Sequence, residues 1–264
     1  MSDHIDRLRT EGYIVIPDII PKDEMPRIRA SVQASTNANA TPDALNKGIG
    51  HVGGFMRFDQ SMAPYLADPR LIGPIQELLG PQIKVSFTTA TINLAGNPRG
   101  TWHADWPFNQ ERAGHVAAPY PDLPMHVTTL WMLSAFSAEN GGTLIVPGSH
   151  RQQNNPTGNN GVNPAAPHPD EVNASGDEGS VLVMDSRLWH STAPNRTDQS
   201  RVSVVVRYAP WWLNTQVLMP NSEERRMLME QTGLDDNLQP SVPRDVYDSL
   251  PNDVRPLFSH LLED

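Results

Sequence analysis

Hydrophobic residues have helix-like spacing near the start of the chain and strand-like spacing through its middle. The first third is mixed: residues 1–10 and a segment beginning at Pro21 suit helices, whereas residues 13–20 suit an apolar strand. From Ile83 onward, short β-type segments separated by turn residues predominate, a pattern typical of a sandwich or barrel. The predicted strands in this region are residues 83–94, 126–136, 143–146, 180–184 and 201–208.

Two long polar segments interrupt this pattern. Residues 37–54, rich in Asn, Ala and Gly, are predicted as a loop. Residues 152–179 are too long for a hairpin connection, so we interpret them as an insertion or a flap that closes over an active site. Further helices are predicted over residues 68–79, 225–231 and 244–262.

Composition narrows the class of protein. The 264 residues include 25 prolines and 18 glycines, which disfavour a helical bundle, and neither a repeat nor a linker divides the chain. We therefore expect one domain over residues 1–264, with a core at about 83–210.

The net charge of -10 opposes binding to nucleic acid or to an anionic membrane. The charged N-terminus and the lack of a long apolar stretch predict a cytoplasmic protein without a membrane span.

The absence of cysteine excludes disulfides, thiolate metal sites and cysteine nucleophiles, so His, Asp or Glu must hold any metal. Residues 48–53 match the G-x-G-x-x-G fingerprint of dinucleotide-binding proteins. That fingerprint requires a preceding strand and a following helix, and no strand precedes these residues in the predicted pattern. We interpret them as part of the flexible loop.

A stronger chemical signal is the H-x-D motif of His103 and Asp105. In an extended segment, residues two apart point to the same side and can converge on one ion. Two histidines and one carboxylate suit a non-haem Fe(II) site, and His190, directly after an apolar strand, is the best candidate for the third ligand. Taken alone, H-x-D also describes a surface His near an Asp. Asp185 is a candidate partner for a ligand histidine.

Arg201 and Ser203 follow the same logic. They lie two apart at the start of a predicted strand, and a guanidinium with a hydroxyl can grip a carboxylate group. The alternative is that Arg201 pairs with Asp185 or Asp198.

The order of H-x-D, a distant His and an Arg eleven residues later resembles the phytanoyl-CoA dioxygenase family. A Trp-containing strand that leads to E-N-G-G at residues 139–142 and P-G-S-H at residues 147–150 adds to this resemblance. The opening Gly12-Tyr13-Ile14-Val15 also fits it. The resemblance implies a mainly β fold with flanking helices, built on a double-stranded β-helix (jelly roll, cupin-like) core.

The resemblance further implies an Fe(II)- and 2-oxoglutarate-dependent dioxygenase that uses O2. His103, Asp105 and His190 would be the iron ligands, and Arg201 would bind the distal carboxylate of 2-oxoglutarate. Further cosubstrate contacts implied by the resemblance are Ser203, Thr192, Trp131 and Asn93. Residues expected at the substrate are Trp102, Trp106, Phe108 and Arg57, and Arg207 is a second candidate for an anionic substrate group. The remaining histidines are expected in turns or at the surface.

The implied reaction is hydroxylation of an unactivated C–H bond in a small-molecule metabolite, with decarboxylation of 2-oxoglutarate to succinate and CO2. The carboxylate ligand Asp105 favours hydroxylation over halogenation. Desaturation, epimerisation or cyclisation with the same cofactors stays open, as do a non-catalytic metal-binding β-barrel module and a zinc hydrolase. Many relatives have Gln between the two ligands where this chain has Ala104. That departure removes an amide donor. Oligomeric state is left open.

Overall fold

The computed structural model describes residues 2–46, 48–105, 118–157, 162–233 and 237–263. Its helices lie mainly at the two ends of the chain, as the hydrophobic pattern predicts. The α-helices are α1 (Ser2–Thr10), α2 (Met25–Asn39), α3 (Pro42–Asn46), α4 (Pro69–Leu79), α5 (Glu223–Thr232), α6 (Arg244–Ser249) and α7 (Arg255–Phe258). In the described part of the chain, no helix is both long and apolar enough to span a bilayer.

The strands form two antiparallel sheets. They are β1 (Tyr13–Ile16), β2 (Ile49–Gly53), β3 (Ile83–Asn93), β4 (Val127–Met132), β5 (Thr143–Ile145), β6 (Val172–Ala174), β7 (Val181–Asp185), β8 (His190–Thr192) and β9 (Arg201–Pro210). The larger sheet has the order β1-β7-β4-β9-β3-β2, and the smaller has the order β6-β5-β8. A bridge between His103 and His190 adds the H-x-D segment to the edge of the smaller sheet.

Alternation along β9 separates the core from the site. Val202, Val204 and Val206 face the main apolar core, which they share with buried residues of α2 and α4 such as Ile28 and Leu71. The intervening positions face the space between the sheets, where they line a cavity. Helices α2 and α4 therefore cover one face of the larger sheet, and the chemistry faces the other.

The structure corrects three predicted elements. Residues 49–53 form strand β2, paired with β3, so the G-x-G-x-x-G segment lies at a sheet edge rather than in a flexible loop. The first strand ends at Ile16, because Pro17 lacks an N–H donor and Asp18 has a positive φ of 53°. The predicted C-terminal helix is broken into the short helices α6 and α7, since Leu250 is extended before Pro251 and ends α6, whereas Pro256 lies in the first turn of α7.

Candidate metal centre and cosubstrate pocket

His103, Asp105 and His190 converge, and one ligand atom from each lies within 4.8 Å of the others. Backbone pairing brings them together: His103 and His190 exchange N–H···O bonds of 3.0 and 2.9 Å, and the Asp105 N–H donates to the Ser186 carbonyl at 2.7 Å. The side chains of His103 and Asp105 share one side of this extended segment, as the spacing predicts.

Both histidines are oriented in the same way. Nδ1 of His103 lies 3.0 Å from the carbonyl oxygen of Thr101, and Nδ1 of His190 lies 2.8 Å from that of Leu188. Because a carbonyl only accepts, each Nδ1 carries the proton, which leaves the Nε2 lone pair for a metal. Asp185, the expected partner, is instead paired with Arg187 at 2.7 Å, so backbone carbonyls take that role.

Asp105 is buried and remains ionised. Burial by itself raises the pKa of its carboxyl group, but the charge of Arg207 opposes this shift with the help of the two histidines and the Thr128 hydroxyl. The net effect holds the pKa of Asp105 well below its usual range. Nη2 of Arg207 donates to Oδ1 at 2.7 Å, and the Thr128 hydroxyl donates to Oδ2 at 2.8 Å.

The three residues open onto a cavity of about 300 Å³ between the sheets. Arg201, Ser203 and Thr192, which are predicted to contact the cosubstrate, line this cavity. Further lining residues that sequence analysis did not single out are Thr89, Thr91, Thr128, Leu130, Thr143, Ser191, Val205, Leu218, Ile49, His51, Arg225 and Asn237. Alternation along β3 and β4 could have identified four of these, Thr89, Thr91, Thr128 and Leu130, once the partners of β9 were known.

Arg201 is a buried cation without a carboxylate partner among the described residues. Its Nη1 donates to the Ser203 hydroxyl at 2.6 Å and its Nε to the Gly141 carbonyl at 3.1 Å, while its guanidinium lies 4.4 Å from the centre of the Phe136 ring. Pairing with Asp185 or Asp198 is therefore not observed. Burial lowers the pKa of Arg201 to about 10, so the group still carries its charge at neutral pH.

Three other candidates point away from the cavity. Trp131 belongs to the core on the opposite face of β4, where its Nε1 donates to Thr129. Trp102 points to the outer side of the H-x-D segment, because it alternates with His103. Arg57 bonds the backbone carbonyl of Ser241 and does not line the cavity.

The last candidates have mixed outcomes. Asn93 is the register partner of Arg201 and donates to the Gly141 carbonyl at 3.1 Å, but it is not among the residues that line the cavity. Trp106 and Phe108 lie outside the described residues.

Two histidines expected at turns or at the surface are buried. His126 is 1% exposed, with Nδ1 at 2.8 Å from the Ser186 hydroxyl and Nε2 at 2.7 Å from that of Ser86. His150 is buried beside Gly12, and its Nε2 bonds the carbonyl of Arg9. A hydrogen-bonded histidine can be buried neutral, and a lone sequence gives no signal for it.

The described part of the 152–179 segment lies behind the metal centre rather than over the cavity. Trp102 donates from its backbone to the Pro164 carbonyl at 2.8 Å and from Nε1 to that of Ala166 at 2.9 Å. Arg99 and Glu171 form a two-pronged ion pair. None of the described cavity-lining residues comes from this segment, and in its described part the segment braces the H-x-D segment.

A model of the Phytanoyl-CoA dioxygenase (PhyH) family matches residues 8–203. The chain belongs to this family. The predicted family and the enzyme class that it implies, a non-haem iron and 2-oxoglutarate-dependent dioxygenase, are confirmed.

Individual relatives agree with this membership. Dioxygenase af480 of Aspergillus fumigatus is 27% identical over 217 residues, which are 79% of this chain and 66% of that protein. HygX from Streptomyces hygroscopicus, solved with nickel, 2-oxoglutarate and hygromycin B, aligns with a TM-score of 0.65 at 16% identity over 84% of this chain and 92% of that chain. The epimerase SnoN, solved with Fe3+, alpha ketoglutarate and nogalamycin RO, aligns with a TM-score of 0.61 at 20% identity over 79% and 83% of the two chains. These two likenesses concern the fold, and they confirm the predicted jelly-roll core.

Proposed function

We propose that this protein hydroxylates an unactivated C–H bond of a small-molecule metabolite, using Fe(II), 2-oxoglutarate and O2. The observation that carries the proposal is the placement of Arg201. A buried, charged guanidinium without a carboxylate partner in the described structure lines the same cavity as two histidines and a carboxylate. A dicarboxylate that chelates a metal with one end and meets Arg201 with the other satisfies both features.

The donor set fits the implied iron. Nε2 of His103, Nε2 of His190 and a carboxylate oxygen of Asp105 would hold the metal, which is the two-His and one-carboxylate set of Fe(II) oxygenases. Arg201, assisted by Ser203 and Thr192, would bind the distal carboxylate of 2-oxoglutarate. When bound, iron with 2-oxoglutarate and O2 supplies the oxidant for C–H attack, and 2-oxoglutarate ends as succinate and CO2.

The chain itself contributes orientation and a dry environment. Carbonyl acceptors hold both imidazole rings with Nε2 toward the metal position. Buried Arg201 and Ser203 remove water from the distal carboxylate, which strengthens their charge-assisted bonds to it. Thr89, Thr91, Leu130 and Val205 give the remaining wall mixed polar and apolar character, suited to a compact organic substrate.

Epimerisation with the same cofactors is the second candidate, because SnoN, named an epimerase, shares the fold. Both outcomes begin with removal of hydrogen from the substrate, and product analysis with 18O2 separates them: hydroxylation leaves labelled oxygen in the product, and epimerisation does not. A zinc hydrolase gives no role to the Arg201 and Ser203 pair.

The decisive test is an anaerobic titration of the purified protein with Fe(II) and then 2-oxoglutarate, monitored by visible absorbance. We expect a weak charge-transfer band from the keto acid chelated at iron. Arg201→Met is expected to require at least about tenfold more 2-oxoglutarate, since it loses a charge-assisted contact of about 1.5–3 kcal/mol. Arg27→Met, which removes an exposed cation of α2, is the matched control and should behave as the unaltered protein. Absence of the band in the unaltered protein would overturn the proposal in favour of a binding module or another metal.

A further inference from the structure

The two oxygens of Asp105 are held by neighbours on two different strands. Arg207 of β9 and Thr128 of β4 are direct partners in the antiparallel register, so their side chains stand together on the cavity side of the sheet. Nη2 of Arg207 donates to Oδ1 at 2.7 Å, and Oγ1 of Thr128 donates to Oδ2 at 2.8 Å. One carboxylate is thereby clamped by one pair of facing residues.

The clamp makes the two oxygens different. Oδ2 lies 3.7 Å from Nε2 of His190 and so faces the metal position, whereas Oδ1 is engaged by the Arg207 guanidinium. A carboxylate can bind a metal through one oxygen or through both. We propose that Arg207 is a positioning residue that keeps Asp105 a one-oxygen ligand. This inference rests on the proposed function, in which the metal held by His103, Asp105 and His190 would also have to bind 2-oxoglutarate and O2.

Arg207 is itself held in place. Phe87 is its register partner on β3, and the guanidinium lies 4.8 Å from the centre of the Phe87 ring. Its side chain is only 12% exposed, and its Nε is buried without a hydrogen-bond partner among the described residues. Stacking against the ring fixes the plane of the guanidinium, and the carboxylate takes one of its donors. Lysine, a point charge on a flexible stem, reproduces the charge but not this plane.

Thr128 is braced independently of Arg207. Its hydroxyl has one proton, which goes to Asp105, so it must accept from the Ser186 hydroxyl 2.8 Å away. Ser186 then accepts from Nδ1 of neutral His126, whose Nε2 accepts from Ser86. Removal of Arg207 therefore leaves Oδ2 tethered by this chain and frees Oδ1 alone.

The test uses the whole protein and Co(II) as the probe, because the intensity of its visible bands reports coordination number without turnover. Anaerobic Co(II) titrations are compared for the unaltered protein, Arg207→Met, Arg207→Lys and the exposed control Arg27→Met. We expect Arg207→Met to change the band intensity by about twofold or more, because the freed Oδ1 can join Oδ2 on the metal and raise the coordination number, and to change the Co(II) affinity, as is typical when an outer partner of a ligand is lost. Arg207→Lys should change the bands in the same direction by a smaller amount.

A purely structural role would lower the thermal midpoint of Arg207→Met and leave its Co(II) affinity and band intensity within twofold of the unaltered protein. That result would overturn the inference while leaving the proposed function intact. Failure of the unaltered protein to bind Co(II) would overturn both. If Arg207→Met does not fold, Arg207→Gln, which keeps an amide NH2 group but not the charge or the planar guanidinium, takes its place under the same criteria.

Discussion

Asn93 and Arg201 face each other across β3 and β9, and both donate to the carbonyl oxygen of Gly141 at 3.1 Å. Gly141 has a φ of 77°, and a Cβ added there would lie 1.8 Å from Nδ2 of Asn93. The E-N-G-G turn therefore sets the position of the proposed cosubstrate-binding arginine through one backbone oxygen.

Gly141→Ala should consequently weaken both the fold and the binding of 2-oxoglutarate. The left-handed backbone alone costs an alanine about 1–2 kcal/mol, and displacement of Asn93 adds to it. Gly96→Ala is the matched control, because Gly96 has a φ of 74° but nothing lies within 4 Å of its added Cβ. Urea unfolding and 2-oxoglutarate titration measure the two effects. Equal losses for both variants would show that the contact with Asn93 is unimportant.

His126 predicts a pH dependence of stability. Burial, reinforced by the charge of Arg207 and opposed by that of Asp105, lowers the pKa of His126 to about 3 from 6.5. Below pH 6.5 the unfolded chain therefore binds a proton that the folded protein does not. As the pH is lowered below 6.5, this group therefore reduces the free energy of unfolding by about 1.4 kcal/mol per pH unit. The loss ends when His126 becomes protonated in the folded protein as well.

His126→Gln removes this contribution while keeping a donor and an acceptor at the position. On acidification from about pH 7 to about pH 5, the variant should lose about 2 kcal/mol less stability than the unaltered protein in urea unfolding. Other titrating groups contribute equally to both proteins, so the difference between their slopes of unfolding free energy against pH isolates the contribution of His126. Parallel slopes would mean that His126 is protonated in the folded state.

The motifs of the chain predict the ligand trio and Arg201 because alternation in an extended segment fixes which side chains share a side. When the strand pairing of the sheet is not known, the same rule cannot say which of the two sides of a strand faces the cavity. Trp131 and Trp102 are therefore expected at the site yet lie on the other sides of their segments. The Arg207 and Thr128 clamp depends on strand register, which a single sequence does not display.

Ala104 is another residue whose side of the segment could not be predicted from the sequence. Its methyl group is buried on the outer side of the H-x-D segment in a cluster with Trp102 and Trp189, so its side chain does not face the cavity. We expect Ala104→Gln to lower the free energy of unfolding by about 2–4 kcal/mol, because it overpacks this cluster and buries an amide. Ala34→Gln on the exposed face of α2 is the control. Thermal and urea unfolding measure the difference, and a stable variant with tighter 2-oxoglutarate binding would instead place the side chain at the cosubstrate.

Arg201 should stabilise the complex with 2-oxoglutarate and not the ligand-free fold. Its guanidinium is desolvated without an opposing carboxylate in the described structure, and burying such a charge costs free energy. Arg201→Met, with similar length and no charge, is therefore expected to unfold at a thermal midpoint equal to or above that of the unaltered protein without ligand. Metal and 2-oxoglutarate at about 100 times the dissociation constant should stabilise the unaltered protein by about 2.7 kcal/mol, and a variant that binds at least about tenfold more weakly should lose at least about half of this gain. A variant that is destabilised without ligand but retains the ligand-induced gain would show that Arg201 serves the fold, through Gly141 and Ser203, rather than the cosubstrate.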